Sequence, residues 1–426
     1  MKVFKFGGAS VKEAEGIRNL GRIVSREEDL LVVVVSALGK TTNALEELLP
    51  LAAAKTYTKK LETIQQMHLA VVEDLFDASQ SELAFVRGRI LEWFTDIDSI
   101  LQQFQNNKAA YYYDQVVSFG ELLSTFIVSE YLKSVRQYNE WVDIREHLIT
   151  DRNFKEGALN WEISGKQILQ RFSFRDSRCY VTQGFIGGSE YGESVTLGRE
   201  GSDYTGAILA NVLNASSLTI WKDVAGVLNA DPRYFEGARL LKEIAYHEAV
   251  ELAYFGAKVI HPKTIKPLYV KNIPLYVRCF LTPEEEGTLV HQVEQYHQQL
   301  PILILKTQQV LITLKPRSFS FVMEDSLSRL FHFISRQRIK VNLIQNSAVS
   351  ISICVDAQNG KVDKLLNALE QEFSVRYNEN LELLTVRHYT QEVLQKEVDP
   401  QRVLVEQKSR HTAHYVLKSF TPGSGQ

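Results

Sequence analysis

Lys5-Phe6-Gly7-Gly8-Ala9-Ser10 places an ammonium and a pair of glycines directly after a short apolar run and ahead of a helical pattern. Glycines at the carboxyl end of a strand let backbone N–H groups come close to a phosphate, and a lysine there adds a point charge. The spacing is neither a Walker loop nor a dinucleotide fingerprint. Taken alone, the pair reads first as an ordinary turn. A second strand end, Val35-Ser36-Ala37-Leu38-Gly39-Lys40-Thr41-Thr42-Asn43, repeats the pattern with hydroxyls leading into a helix.

The densest signal is Thr196-Leu197-Gly198-Arg199-Glu200-Gly201-Ser202-Asp203-Tyr204-Thr205, a small charged loop running into an apolar helix. Ser202 or Asp203 in such a place is either a helix cap or a ligand group. The planar fork of Arg199 suits a carboxylate, whose two oxygens it can hold together. Upstream, Gly184-Phe185-Ile186-Gly187-Gly188 offers more backbone for close approach. Trp221-Lys222-Asp223 and Asp231-Pro232-Arg233 leave another strand end, and Phe255-Gly256-Ala257-Lys258-Val259-Ile260-His261-Pro262 follows. Read locally, Lys258 is a cation at a helix C-terminus, after the glycine that ends the helix. Arg336, Arg338 and Lys340 read the same way. No His-Glu-x-x-His, paired-cysteine, calcium-loop or Gly-x-Ser-x-Gly spacing occurs, and His411 and His414 read as a chance pair.

These groups need elements to hold them. Up to about residue 295, short aliphatic runs alternate with longer helical patterns, as in α/β proteins with a largely parallel sheet. Leu30–Val35 is unbroken aliphatic and must be buried on both faces. Val3–Phe6, Arg178–Thr182, Leu218–Trp221 and Pro274–Cys279 are the other expected strands. Helices are expected at Glu13–Arg26, Asn43–Ala54, Lys59–Leu75 and Tyr112–Leu132, with 55–110 forming a mostly helical insertion that caps or packs rather than catalyses. After Pro283–Gly287 the order becomes β-α-β-β-α-β: Val310–Leu314, Ser326–Arg338, Lys340–Gln345, Val349–Val355, Lys361–Glu372 and Leu381–Arg387. That is a ferredoxin-like unit. A partial second unit follows, with a weak helix at Glu392–Glu397 and extended runs at Val403–Lys408 and His414–Lys418. Residues 421–426 are expected to be a disordered tail.

The whole chain has 426 residues, enough for two or three domains. Its 48 Lys+Arg against 51 Asp+Glu give a charge of -3, which offers nucleic acid no electrostatic attraction. Hydrophobic residues at 45% supply ordinary cores, and no stretch reaches the length of a membrane span. Cys179, Cys279 and Cys354 are odd in number and far apart, so free thiols and a cytoplasmic address are expected. The start breaks into glycine before a signal-peptide core forms, so the mature protein is expected to begin at Met1.

The motifs starting at Lys5, Ser36, Phe119 (Phe119-Gly120-Glu121-Leu122-Leu123-Ser124), Thr196, Trp221 and Phe255 occur in one order over residues 5–262, and together they resemble the aspartokinase family. The C-terminal β-α-β-β-α-β unit resembles the ACT regulatory domains of that family. The resemblance implies a three-layer αβα amino-acid-kinase fold over 1–295 and an ACT-type α+β region over 300–420. It implies transfer of the ATP γ-phosphoryl group to the side-chain carboxylate of L-aspartate, the first step towards lysine, threonine and methionine. Lys5, Arg199 and Lys258 would be catalytic. Thr42, Glu121, Phe185, Arg199, Ser202 and Asp203 would bind the substrate, with Glu121 on its amino group. Lys5, Gly7, Gly8, Ser10, Lys222, Asp223, Asp231, Arg233 and Lys258 would bind ATP. Mg²⁺ would arrive with ATP, without direct protein ligands that the sequence names. Asn342, Ser347 and Val349 would face an amino-acid effector, and pairing of ACT units implies a homodimer.

Several positions depart from the family pattern. Ala9 stands where threonine is usual, Glu200 where glycine is, Lys222 where threonine often precedes the Asp, and Leu228 where tyrosine commonly lies. Lysine-sensitive relatives usually carry acidic residues where Asn342 and Ala348 stand, so lysine is expected to inhibit weakly or not at all. Two other readings stay open: another acylphosphate-forming or carbamate kinase of the same fold, and a non-catalytic amino-acid sensor.

Overall fold

The computed structural model describes residues 1–257, 260–293, 300–317, 324–358 and 360–419. The expected tail at 421–426 lies outside them. The chain divides into two compact units, the first comprising 1–227, 240–250 and 259–296, the second 228–239, 251–258 and 297–426.

The strands of the first unit are β1 (Lys2–Phe6), β2 (Leu31–Val35), β3 (Glu140–Val142), β4 (Ile149–Thr150), β5 (Cys179–Gln183), β6 (Ile186–Ser189), β7 (Ser194–Thr196), β8 (Ser217–Lys222), β9 (Glu243–Ala245), β10 (Leu275–Cys279) and β11 (Thr288–His291). Its helices are α1 (Ala14–Ser25), α2 (Thr41–Glu46), α3 (Leu48–Ala53), α4 (Thr58–Leu75), α5 (Gln80–Gln102), α6 (Ala109–Ser134), α7 (Trp161–Arg171), α8 (Gly201–Val212), α9 (Tyr246–Phe255, shared with the second unit) and α10 (Pro262–Val270). The main sheet runs in the order β3-β5-β2-β1-β8-β10-β11-β9. Its strands from β3 to β10 are parallel, and only the β10/β11 step is antiparallel. A small sheet, β4-β6-β7, lies beside it.

All five residues of β2 are buried, as its uninterrupted aliphatic sequence requires. Each such Val side chain removed from water contributes about 1.5–3 kcal/mol. Helix α6 is buried over most of its length and packs on β5, β2 and α2. The insertion is helical as expected: α4 and α5 pack on one another and α5 on α6, sealed by Trp93, Phe126 and Trp141 in edge-to-face contact. His68 is buried there with its Nδ1 2.8 Å from the Ile64 carbonyl, and burial lowers its pKa to about 4. It is a neutral core residue. Among the described residues no helix is long and apolar enough to cross a membrane.

The second unit holds β12 (Ile302–Pro316), β13 (Val341–Ser347), β14 (Ser350–Asp356), β15 (Phe373–Arg387), β16 (Val403–Lys408) and β17 (Thr412–Lys418), with α11 (Glu324–Gln337), α12 (Lys361–Leu369) and α13 (Gln391–Glu397). One antiparallel sheet, β13-β14-β12-β15-β17-β16, unites them. Its first four strands, with α11 and α12, form the ferredoxin-like arrangement around Ile312, Leu330, Ile353 and Leu365. Strands β12 and β15 are each 15 residues long and run on into the second half of the sheet, where Leu384, Val386, Leu394 and Tyr415 make a separate core.

Candidate active site

The parallel register sets the site. Phe6 pairs with Val35 on one side and Trp221 on the other, and Val35 pairs with Gln183. The strands β1, β2, β5 and β8 therefore end level, and Gly7, Ser36, Gly184 and Lys222 emerge along one edge. This is the carboxyl edge of the sheet, where open α/β folds bind ligands. The loops are tied together there: Gly39 N–H donates to the Gly8 carbonyl at 3.0 Å, and Gly184 N–H to Val35 at 3.3 Å. Gly8 is needed for that closeness, since an added Cβ would lie 2.6 Å from the Ala37 carbonyl oxygen.

A cleft of about 400 Å³ opens along this edge. Lys5, Gly7, Gly8, Ser10, Thr42 and Glu121 line it, and so do Phe185, Ser202, Asp203, Lys222 and Asp223. Asp203, in the first turn of α8, receives Lys5 Nζ at 2.6 Å on Oδ1 and Lys222 Nζ at 3.6 Å on Oδ2. Burial alone would raise its pKa; the two ammonium groups outweigh that and hold it below the ordinary carboxylate value. Asp203 is thus an ion-pair centre rather than a helix cap, and the N-cap position of α8 is Glu200, without a side-chain cap bond. Glu200 has φ 54 and Phe185 φ 69, so two non-glycine residues in left-handed conformation shape the turn. Glu200 also lines the cleft, its Oε2 buried without a hydrogen-bond partner.

Glu121 projects from buried α6. Its Oε1 accepts a long 3.4 Å bond from Ala37 N–H, and Oε2 is buried without a partner. Burial pushes its pKa up to about 8, against the pull of the Ala37 amide and Lys5. Asp114, two turns earlier on α6, accepts from Thr196 N–H, Thr196 Oγ1 and Lys155 N–H. It fixes the start of the Thr196–Thr205 loop to α6. Sequence reading missed it, although an acidic residue seven positions before Glu121, and so on the same face of the helix, was the available signal.

Other expected site residues stand elsewhere. Arg199 is exposed on the turn before Glu200 and is not part of the cleft lining among the described residues. Asp231 and Arg233 belong to the second unit, where Arg233 Nε lies 3.0 Å from Asp231 Oδ1. Lys258 lies outside the described residues. Gly256 has φ +109 just after α9, and His261 caps α10 by accepting from Lys263 N–H at 3.2 Å. Gly187 and Gly188 serve packing: an added Cβ would lie 2.5 Å from the Leu148 carbonyl oxygen and 2.2 Å from that of Arg145, respectively. Asn342 is buried and bonded within the second unit, while Ser347 and Val349 are exposed.

The residues fit an anionic phosphate ligand. An added Cβ at Gly7 would point into the cradle 3.9 Å from Lys5 Nζ, and the start of α8 lies opposite. No cluster of three or more His, Cys, Asp and Glu suited to a metal occurs among the described residues.

The profile of the amino acid kinase family matches residues 1–279. The lysine-sensitive aspartokinase 3 of Escherichia coli (strain K12) is 33% identical over 358 residues, covering 83% of this chain and 78% of that protein. Two crystal structures of E. coli aspartokinase III superpose over 98% of this chain and 96% of theirs at 28% identity. One, with aspartate and ADP (R-state), gives a TM-score of 0.81. The other, with lysine and aspartate (T-state), gives 0.80. With the level strand ends, the lysine-bearing cleft and the antiparallel C-terminal sheet, these matches establish that the chain belongs to the amino acid kinase family and, within it, to the aspartokinases.

Proposed function

We propose that the chain is a catalytically competent aspartokinase that transfers the γ-phosphoryl group of ATP to the side-chain carboxylate of L-aspartate, giving 4-phospho-L-aspartate and ADP. The observation that carries this reading is the Lys5–Asp203–Lys222 cluster at the level ends of β1 and β8, with buried Glu121 in the same cleft. A carboxylate and a phosphate repel; two unit like charges ~4 Å apart cost ~4 kcal/mol at an effective dielectric of about 20. Cations must offset that repulsion. The acceptor is already ionised at neutral pH, so no general base is required, and the work left is positioning and charge stabilisation.

Lys5 and the Gly7 and Gly8 backbone hold the phosphates, with Ser10, Lys222 and Asp223 beside them. Glu121 takes the substrate ammonium, and Thr42, Phe185, Ser202 and Asp203 close the aspartate pocket. Arg199 closes over the substrate carboxylate from its exposed turn, and Lys258, Asp231 and Arg233 serve the nucleotide. Mg²⁺, bound with ATP, supplies further charge neutralisation on the phosphates. The second unit is an ACT-type region that receives an amino-acid effector. Its outer strand β13 offers backbone groups to a second copy, which supports a homodimer. Free cysteines support a cytoplasmic setting.

The test is purified protein with ATP, Mg²⁺ and L-aspartate, trapping the acyl phosphate as hydroxamate. Hydroxamate forming with aspartate is the expected result. Turnover with a different acid alone would select another kinase of this fold, and amino-acid binding without turnover would select a sensor.

A further inference from the structure

Strand β7 ends its small sheet, with β6 on one side and no strand on the other, so backbone groups of its outer edge need partners from elsewhere. Two consecutive side chains of α6 supply most of them. Gln115 accepts from Ser194 N–H at 3.1 Å through Oε1 and donates to the Ser194 carbonyl at 2.8 Å through Nε2. Asp114, fully buried, accepts from Thr196 N–H at 2.9 Å on Oδ2 and from Thr196 Oγ1 at 2.8 Å on Oδ1. Its Oδ2 also receives Lys155 N–H at 2.9 Å, and Gly157 N–H, from the same turn, donates to the Thr196 carbonyl at 2.9 Å. Burial raises the pKa of Asp114 to about 6 against the pull of these three donors, so at neutral pH both oxygens remain acceptors.

We propose that Asp114 is a positioning residue for substrate recognition: by clamping the end of β7 to α6 it fixes where Arg199 stands relative to Glu121, and so sets the grip on the two charged ends of aspartate. The inference rests on the aspartokinase reading of the same cleft, in which Arg199 takes a substrate carboxylate and Glu121 the ammonium. Thr196 stands three residues before Arg199, and Asp114 stands seven before Glu121 on the same face of α6. One rigid helix therefore carries both the acceptor for the ammonium and the clamp on the strand that delivers the guanidinium. Downstream, the start of α8 is anchored by other means. Lys5 holds Asp203 at 2.6 Å, and Thr205 Oγ1 accepts from Phe185 N–H at 3.1 Å. Loosening at Asp114 is thus felt in the turn between the two anchors, Leu197–Glu200, which carries Arg199, while Lys5, Gly7 and Gly8 on the nucleotide side keep their places on β1 and the loop after it.

The experiment measures hydroxamate formation over aspartate and ATP titrations in the wild type, Asp114→Asn, Arg199→Ala and the double variant, each with its melting temperature. Asparagine keeps the size of the side chain but sets an amide nitrogen against a donor. It is expected to lower kcat/KM for aspartate by about tenfold to a hundredfold while the KM for ATP moves less than about twofold. Because Asp114 acts through Arg199, adding Asp114→Asn to Arg199→Ala is expected to cost less than about threefold more. A folded Asp114→Asn protein with wild-type kcat/KM overturns the proposal. Losses that multiply in the double variant, or a KM for ATP that rises as far as that for aspartate, overturn it too, since a merely structural role would give those. If Asp114→Asn does not fold, Thr196→Val, which removes the hydroxyl donor to Oδ1, decides by the same comparison with and without Arg199→Ala. A wild type that forms no hydroxamate with aspartate overturns the aspartokinase reading and this proposal with it, and an Arg199→Ala protein with wild-type kcat/KM overturns the grip of Arg199 and the proposal together. An impaired Arg199→Ala protein beside an unimpaired Asp114→Asn protein overturns the role of Asp114 alone.

Discussion

Glu121 shows what one side chain can report about the cleft. A carboxyl that is 2% exposed, with one oxygen unpartnered and the neighbouring Lys5 engaged by Asp203, favours its protonated form at neutral pH until a substrate ammonium stands beside it. Its folded pKa, about 8, lies above the ordinary 4.5. Between those values the native state keeps a proton that the unfolded chain has lost, so stability falls as pH rises. Below pH 4.5 the group contributes nothing, and above pH 8 its cost is complete. Lys5 and Tyr113 are the other titratable groups electrostatically coupled to it. Glu121→Gln is therefore expected to gain stability relative to wild type on going from pH 5 to pH 8, by at most about 1.4 kcal/mol per pH unit. Urea unfolding at several pH values checks this; a constant difference between the two proteins would refute it. Lys5→Ala removes the short ion pair and leaves Asp203 with Lys222, so kcat is expected to fall by about two to three orders of magnitude. Hydroxamate trapping reads that loss, and full activity in the variant would end the phosphate role of Lys5.

At the scale of elements, the site depends on strand ends being level and loops being close. Gly8→Ala would set a methyl 2.6 Å from the Ala37 carbonyl oxygen and 2.8 Å from that of Gly39; Gly184→Ala would set one 2.6 Å from Ser202 Cβ. The first forces the β1 and β2 loops apart and the second displaces the start of α8. Each is expected to destabilise by about 1–3 kcal/mol and to lower kcat/KM by at least about tenfold. Unfolding midpoints and initial rates check this, and an unchanged kcat/KM in either would remove the close-approach argument. The same elements show what a sequence can reveal. Strands β1, β2, β5, β8 and β10 were legible because buried parallel strands are aliphatic runs, and α6 because it is long. The strands β4, β6 and β7 were not, being two to four residues long, with two glycines inside β6. The expected helix at Asn43–Ala54 is two helices, α2 and α3, meeting at Glu47; Pro50 has no N–H and so sits in the first turn of a new helix. Only part of β12 was legible, since Gln308, with φ 56, and register shifts at Lys306/Gln309 break the alternation midway. Among site residues, Lys5, Glu121 and Asp203 could be read from motif order. The pairing of Lys222 with Asp203 could not, because it follows from the register of β8 against β1.

For the molecule as a whole, the question is what regulates it, and the second unit constrains the answer. Asn342 Nδ2 donates to Gln309 Oε1 and Asp356 Oδ1, each at 2.8 Å, and its Oδ1 accepts from Lys306 Nζ at 2.7 Å. The side chain is satisfied within the sheet, and the charge beside it is an ammonium. Burial lowers the pKa of Lys306 while Asp356 pulls it up, so the network is self-contained. Ala348 and Val349, on the neighbouring turn, are exposed and offer no carboxylate. A cationic effector brought to this part of β13 would meet a like charge and find Asp356 already shared by Asn342 and Gln309. At millimolar lysine, the initial rate of the intact protein is accordingly expected to stay within about twofold of the lysine-free rate, since the unfavourable charge pairing is not offset. Rate measurements across a lysine titration, with equilibrium binding of lysine to the same full-length protein, decide the matter. Half-inhibition at micromolar lysine with saturable binding would mean that acidic groups other than those around Asn342 receive the effector, and the charge argument would fail.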